Sequence, residues 1–209
     1  MYYNPRRLQK EGVMYKILKL ICLPMFLLVF FYGSVFAQDF PTNTGSFLLS
    51  GSFMFSSAGG DLYEYGNERM MLMQFDPSFN YFVFPGLALG GKFMFEKASQ
   101  GDYGTTTWGI GPQLLFFIGG TQPKDSFRGT IYPFIGASFI YVRSTYAVGD
   151  FSISGTMINL GGGLNFMLSN SVGLIMETNY EIDNMTPEGG ESVSGNKFNI
   201  GLGFVAFLY

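Results

Sequence analysis

From about residue 38 onward, apolar side chains recur at every second position of the chain. The clearest run is INLGGGLNFML. Ile158, Leu160, Gly162, Leu164, Phe166 and Leu168 share one face; Asn159, Gly161, Gly163, Asn165 and Met167 take the other. Period two marks a half-buried strand. VGLIMETNYEID continues it, with Val172, Leu174, Met176, Thr178, Tyr180 and Ile182 opposite Gly173, Ile175, Glu177, Asn179, Glu181 and Asp183. Ser169-Asn170-Ser171 joins the two as a hairpin connection. SFLLSGSFMFS, residues 70–84, LALGGKFMFEK and TWGIGPQLLFFI alternate in the same way. Two further segments complete a set of eight. TIYPFIGASFIYVRS is apolar on both faces, so its parity stays open. KFNIGLGFVAFLY begins with Phe198, Ile200, Leu202 and Phe204 on one face, yet Val205, Phe207 and Tyr209 lie on the other. Either a bulge near Phe204–Val205 switches the faces, or the last residues sit at a rim.

The apolar faces are long and carry large side chains, whereas the opposite faces carry Gly, Ser, Asn, Gln and a few charges. A soluble sandwich or a lipocalin-like barrel would hide the apolar faces. A narrow barrel in lipid needs the reverse, with an apolar outside and a compact, polar interior. Backbone groups in lipid must all be paired, so the sheet has to close. Loop lengths add a second cue. SAGGDLYEYGNE and NMTPEGGESVSG are long, while PG and SNS are short, as expected of a barrel with short turns on one rim and longer loops on the other. GGTQPKDSFRG, after the fourth segment, is long for the short-turn rim. The pattern predicts an all-β, eight-stranded antiparallel up-and-down transmembrane barrel, with both ends of the chain on the short-turn side.

Composition agrees. Aromatics make up 18% of the chain against 13% charged residues, with 24 Phe, 29 Gly and no His. Such a chain is too apolar to be disordered. MYKILKLICLPMFLLVFFYGSVFAQDF reads as a secretory signal: Lys16 and Lys19 precede an apolar stretch from Leu20 to Phe31, and Val35 and Ala37 set a cleavage site before Gln38. The alternative is a retained single-span anchor. Met14 is a candidate start, since residues 1–13 add nothing a signal needs. The domains expected are therefore 1–37, a signal segment, and 38–209, the barrel. Cys22, the one cysteine, falls inside the signal and has no lipobox before it. Cleavage removes Arg6, Arg7, Lys10, Lys16, Lys19 and one acid, Glu11, and takes the net charge from −3 to −7. No basic stripe is left for a nucleic-acid partner.

PSFNYFVFPGLALGGKFMF resembles the small outer-membrane β-barrel domain proteins of the OmpA/OmpX-like superfamily. The resemblance rests on Pro77, Ser78, Tyr81, Phe82 and Val83, on Leu87-Ala88-Leu89-Gly90, on Gly109-Ile110-Gly111-Pro112 and on the terminal aromatic Tyr209. It covers roughly residues 38–209. It implies a bacterial outer-membrane location, contact with outer-membrane lipid, and recognition of the C-terminal strand by the barrel-assembly machinery. It implies no cofactor and no activity, because fold does not fix function. With no domain following the barrel, it implies no cell-wall tether.

Asp76, Lys92, Glu96, Glu177, Glu181 and Lys197 all fall on inward faces. Buried charges must pair, so a structural network is expected of them; a gate across a narrow pore is the sharper reading, and a catalytic carboxylate pair has nothing else to support it. Without His, imidazole acid–base chemistry and His metal sites are excluded. With no Cys after cleavage, so is thiol chemistry. Trp108, Tyr180 and Tyr103 near the outer interface, and Phe84, Phe116, Tyr132 and Phe207 near the inner one, read as an aromatic girdle rather than as ligand-stacking platforms. Asp61, Glu64 and Glu68, or Glu188 and Glu191, make acidic rims whose spacing does not match a calcium loop. GGGLNF precedes no helix and is not a phosphate loop. These residues point to a non-catalytic outer-membrane barrel with a structural or surface-interaction role through its loops. A narrow porin-like channel is the alternative and a lipid-modifying enzyme a weaker one.

Overall fold

Eight long strands run in chain order around a closed barrel in the computed structural model. They are β1 (Phe47–Gly59), β2 (Met71–Phe84), β3 (Leu87–Gln100), β4 (Tyr103–Phe117), β5 (Ile131–Tyr146), β6 (Ser152–Met167), β7 (Val172–Pro187) and β8 (Val193–Leu208). The structure describes residues 40–59, 64–65, 68–69, 71–100, 103–119, 126–146, 152–187 and 190–209. The expected signal segment, with Ala37 and Gln38, lies outside them. Every neighbouring pair is antiparallel, and β8 closes on β1 from Phe47↔Leu208 to Gly59↔Asn196. A two-residue ribbon, Glu64–Tyr65 with Glu68–Arg69, stands between β1 and β2.

The strands are staggered. Stepping across paired residues from Phe47 leads through Tyr81, Leu89, Leu114, Ala137, Leu160, Tyr180 and Phe198 to Ser57, ten residues further along β1. With eight strands, that stagger sets a tilt of about 40° and a radius of about 8 Å. So narrow a lumen holds side chains and little else. Glycine is required where a neighbouring strand's backbone approaches closely. A Cβ built on the inward-facing Gly111 would run into the carbonyl oxygen of Phe139 on β5, and one on Gly163 into that of Met176 on β7. No larger residue fits without moving backbone.

The alternation read from the sequence is realised strand by strand. Phe53, Phe55, Phe75, Phe93, Phe95, Ile158, Leu160, Ile200 and Leu202 all face outward and are exposed. β5 takes a definite parity. Tyr132, Phe134, Ile140 and Val142 are buried inside, whereas Ile131, Ile135, Phe139 and Tyr141 face out. β8 needs no bulge, because its pairing to β1 is unbroken and Val205 and Phe207 point into the lumen. The bulge is thus excluded; Val205 and Phe207 are buried at the capped end of the lumen, and Tyr209 stands at the rim.

The lower, short-turn end is filled by an aromatic plug. Phe82, Phe117, Phe134 and Phe207 stack within it, with ring centroids 5.4–6.3 Å apart. Leu48, Leu115, Tyr132, Met167 and Val205 complete the layer. Two segments close it from below. Residues 40–46 turn back so that Phe40 is buried, with Gly45 N donating to Phe82 O (2.9 Å) and Gly86 N to Thr42 O (2.8 Å). Residues 126–130, the described end of the connection after β4, lie beneath the barrel and bury Phe127. Phe127 N donates to Asn170 Oδ1 (3.0 Å), and Gly129 N to Met167 O (2.7 Å). That end of the connection therefore completes the plug. Tyr209 stays half-exposed below the rim, where its hydroxyl donates to Asn170 O (3.2 Å) and its ring meets Phe127 edge-on.

Candidate functional site

Above the plug, strand alternation delivers polar side chains into the lumen from β2, β3, β6, β7 and β8, and the stagger brings them together. Lys92 Nζ lies 2.6 Å from Asp76 Oδ2. Gln74 Nε2 donates to both oxygens of Asp76 (2.8 and 2.9 Å) and to Glu181 Oε1 (3.3 Å), which also accepts from Asn159 Nδ2 (2.7 Å). Lys197 Nζ is the hub. It lies 2.9 Å from Glu96 Oε2, 3.2 Å from Glu181 Oε2 and 3.7 Å from Asp183 Oδ2. These side chains are all buried, Lys197 and Glu181 completely. A buried ion is tolerable only when paired and hydrogen-bonded. Here each ammonium is held by carboxylates and the shared glutamate links the two clusters.

An apolar group shares the lumen with these polar side chains. Met94, Ile140, Val142, Ile153, Met157 and Met185 pack together on β3, β5, β6 and β7, with Tyr146 and Val193 against them. A smaller polar set lies below the ion pairs. Ser50 Oγ and Ser78 Oγ are 2.7 Å apart, and Asn80 Nδ2 donates to Ser78 Oγ (3.0 Å) and Gln113 Oε1 (3.2 Å).

Of the six lumen residues expected from the sequence, Asp76, Lys92, Glu96, Glu181 and Lys197 lie in this network. Glu177 faces inward but is only half-buried and makes none of the ion pairs found among the described residues. Its register partners are Gly163 and Gly201. Three contributors were missed: Asp183, Gln74 and Asn159. Asp183 was legible, since it continues the inward parity of Glu177 and Glu181; its partner was not, because Lys197 reaches β7 through a register no single strand discloses. The four fully buried carboxylates outnumber the two lysines. They surround ammonium groups rather than open space, and no described group of three Asp, Glu, His or Cys side chains could hold a metal ion.

On the outside, Trp108, Tyr180 and Phe116 are exposed, as is Phe84. Phe207 is a correction. It is 1% exposed and packs inside against Phe82 and Phe117, so it belongs to the plug and not to a girdle; Tyr132, equally buried, does too. Both have inward parity, which places even large aromatics in the lumen where the barrel is capped. The side chains of Tyr103, Glu64 and Glu68, and residues Asp61 and Glu188, lie outside the described part of the structure, and Glu191 is exposed.

Similar architecture occurs among solved structures. Neisserial surface protein A superposes with a TM-score of 0.62 at 13% identity, over 78% of this chain and 98% of that one. The chain has the fold of the small outer-membrane barrels. Weaker likenesses extend to OprG of Pseudomonas aeruginosa (TM-score 0.49, 13% identity, 82% of this chain and 100% of that one) and to Ail, the attachment invasion locus protein of Yersinia pestis (0.44, 16%, 78% and 99%). No family model and no curated protein matches the sequence. In this barrel the outward apolar band runs along β4 from Ile118 up to Trp108. Ten residues at the tilt above give about 25 Å, the height of a lipid-facing band in such proteins.

Proposed function

We propose that this protein is an integral outer-membrane barrel with a sealed lumen, non-catalytic, acting as a structural or surface-interaction element through its long-loop end. The observation that carries the reading is the sorting of side chains: large apolar groups outside over a bilayer's height, and a lumen filled by an aromatic plug below and an ion-paired layer above. Lipid holds the barrel by that band, with Trp108, Tyr180 and Phe116 among the aromatic residues bordering it. The paired lysines and carboxylates lock the staves together rather than line an aqueous path, since a conducting pore needs continuous hydrated space. The experiment is a planar bilayer recording of the purified protein. Absence of discrete conductance steps is expected; reproducible steps would favour the narrow channel instead.

On the same reading, residues 1–37 direct export and are cleaved after Ala37. The exported chain should then have the intact mass of a protein beginning at Gln38, and a retained N-terminal segment would contradict this. The strand Val193–Leu208 closes the barrel and is the segment on which assembly machinery would act. No cofactor enters this account, and no extracellular ligand is specified.

A further inference from the structure

Charge on the eight strands is sorted by face. Among the described side chains, every strand carboxylate points inward: Asp76, Glu96, Glu177, Glu181 and Asp183. The outward faces carry only two charges, and both are positive. These are Lys97 on β3 and Arg143 on β5, each exposed. They flank one strand. Lys97 is paired across the sheet with Thr106, and Arg143 with Trp108, both on β4. Two strand spacings and a two-residue offset separate their Cα atoms by about 12 Å, within reach of one group held between two long side chains. Trp108 lies between them, and Tyr141 meets it edge-on at 6.3 Å. Arg143 Nη2 donates to Ser152 Oγ (3.1 Å), which steadies the guanidinium at the top of the β5–β6 seam.

Height decides what this patch can meet. Trp108 is the last large apolar residue of the band on β4, and Lys97 and Arg143 stand just above that level. We propose that Lys97, Trp108 and Arg143 form a docking surface for the phosphate-bearing headgroup of a membrane lipid. The proposal rests on the reading that the barrel spans a membrane. The chain is acidic overall, so this all-cationic outward face does not simply mirror its composition. Excluding every described strand carboxylate from the outward faces, and placing two cations beside an interfacial aromatic, complements an anionic headgroup. Guanidinium and ammonium groups pair with phosphate oxygens by charge-assisted hydrogen bonds. Lysine also extends its apolar stem along the lipid while its head stays at the interface.

Trp108 is the one tryptophan of the chain, so its fluorescence reports on the patch directly. The test places residues 38–209 in phosphatidylcholine vesicles doped, in turn, with brominated phosphatidic acid and brominated phosphatidylcholine at equal mole fraction. Blue-shifted emission reports insertion; the extent of quenching reports which lipid sits beside Trp108. Phosphatidic acid should quench more strongly, with an enrichment on the order of fivefold per cation. The preference should disappear in the double variant Lys97→Gln, Arg143→Gln while the emission stays blue-shifted. Equal quenching by the two lipids in an inserted, unaltered barrel would overturn the proposal. Emission that never shifts to the blue would overturn the membrane reading on which it rests. Inorganic phosphate added to the detergent-solubilised barrel should leave Trp108 unchanged; a response to it would assign the patch to a soluble anion and sink the lipid claim.

Discussion

Lys197 has no exposed surface and is surrounded by Glu96, Glu181 and Asp183. Removing an ammonium from such a site strands carboxylates in low dielectric, which costs more than the ion pair itself contributes. Lys197→Met should therefore destabilise the folded barrel by roughly 3–5 kcal/mol, measured as a fall in the urea midpoint of reversible unfolding in micelles, while Lys197→Arg retains most of the stability. A methionine variant as stable as the parent would show that the network contributes nothing net. That these residues meet in the lumen was legible, because a period of two forces Lys92, Glu96, Glu177, Glu181 and Lys197 onto faces opposite the large apolar groups. Which carboxylate meets which ammonium was not. Lys197 and Glu96 are 101 positions apart, and their contact depends on how eight strands are staggered.

At the level of elements, the segments that looked irregular turn out to build the plug. β5 read as apolar on both faces because its inward side chains are apolar too, Tyr132 and Phe134 in the plug and Ile140 and Val142 above it. β8 seemed to change parity for the same reason at Val205 and Phe207. The rule that a narrow barrel holds only small inward residues fails both above the plug, where Met94, Ile140 and Met157 pack, and within it, where it misplaced Phe207. The long connection after β4 looked anomalous until Phe127 was found beneath the barrel, tied to Asn170. Phe127→Ala should remove about 3–5 kcal/mol of stability and make the connection between Phe117 and Ile131 the first site of limited proteolysis in detergent. If that connection is cleaved no faster in the variant, its docking on the plug is not what holds it.

The whole molecule follows from one inversion, with charge and hydrogen bonding inside and aromatic bulk outside. Eight strands, their order and the facing of most of them could be read from alternation and loop lengths, since these are local signals; the facing of β5 and of the end of β8 could not. The ten-residue stagger could not, because it is a property of the closed circle and is recorded only in the pairing of Phe47 with Tyr81 at one end of the circuit and of Ser57 with Phe198 at the other. The stagger sets the tilt, the radius and the level at which the ion pairs meet, so it links sequence pattern to membrane fit. Cys22 is the chain's one cysteine and lies outside residues 38–209, which leaves those residues free for single-cysteine labelling. The most direct test of the inversion is a spin-label scan along β7, from Leu174 to Ile182, in reconstituted vesicles. Labels at Leu174, Met176, Thr178, Tyr180 and Ile182 should be relaxed by oxygen dissolved in lipid and shielded from a water-soluble nickel reagent. If those same positions were reached by nickel and not by oxygen, the apolar faces would not be in lipid, and the account of this chain as a membrane-spanning barrel would be wrong.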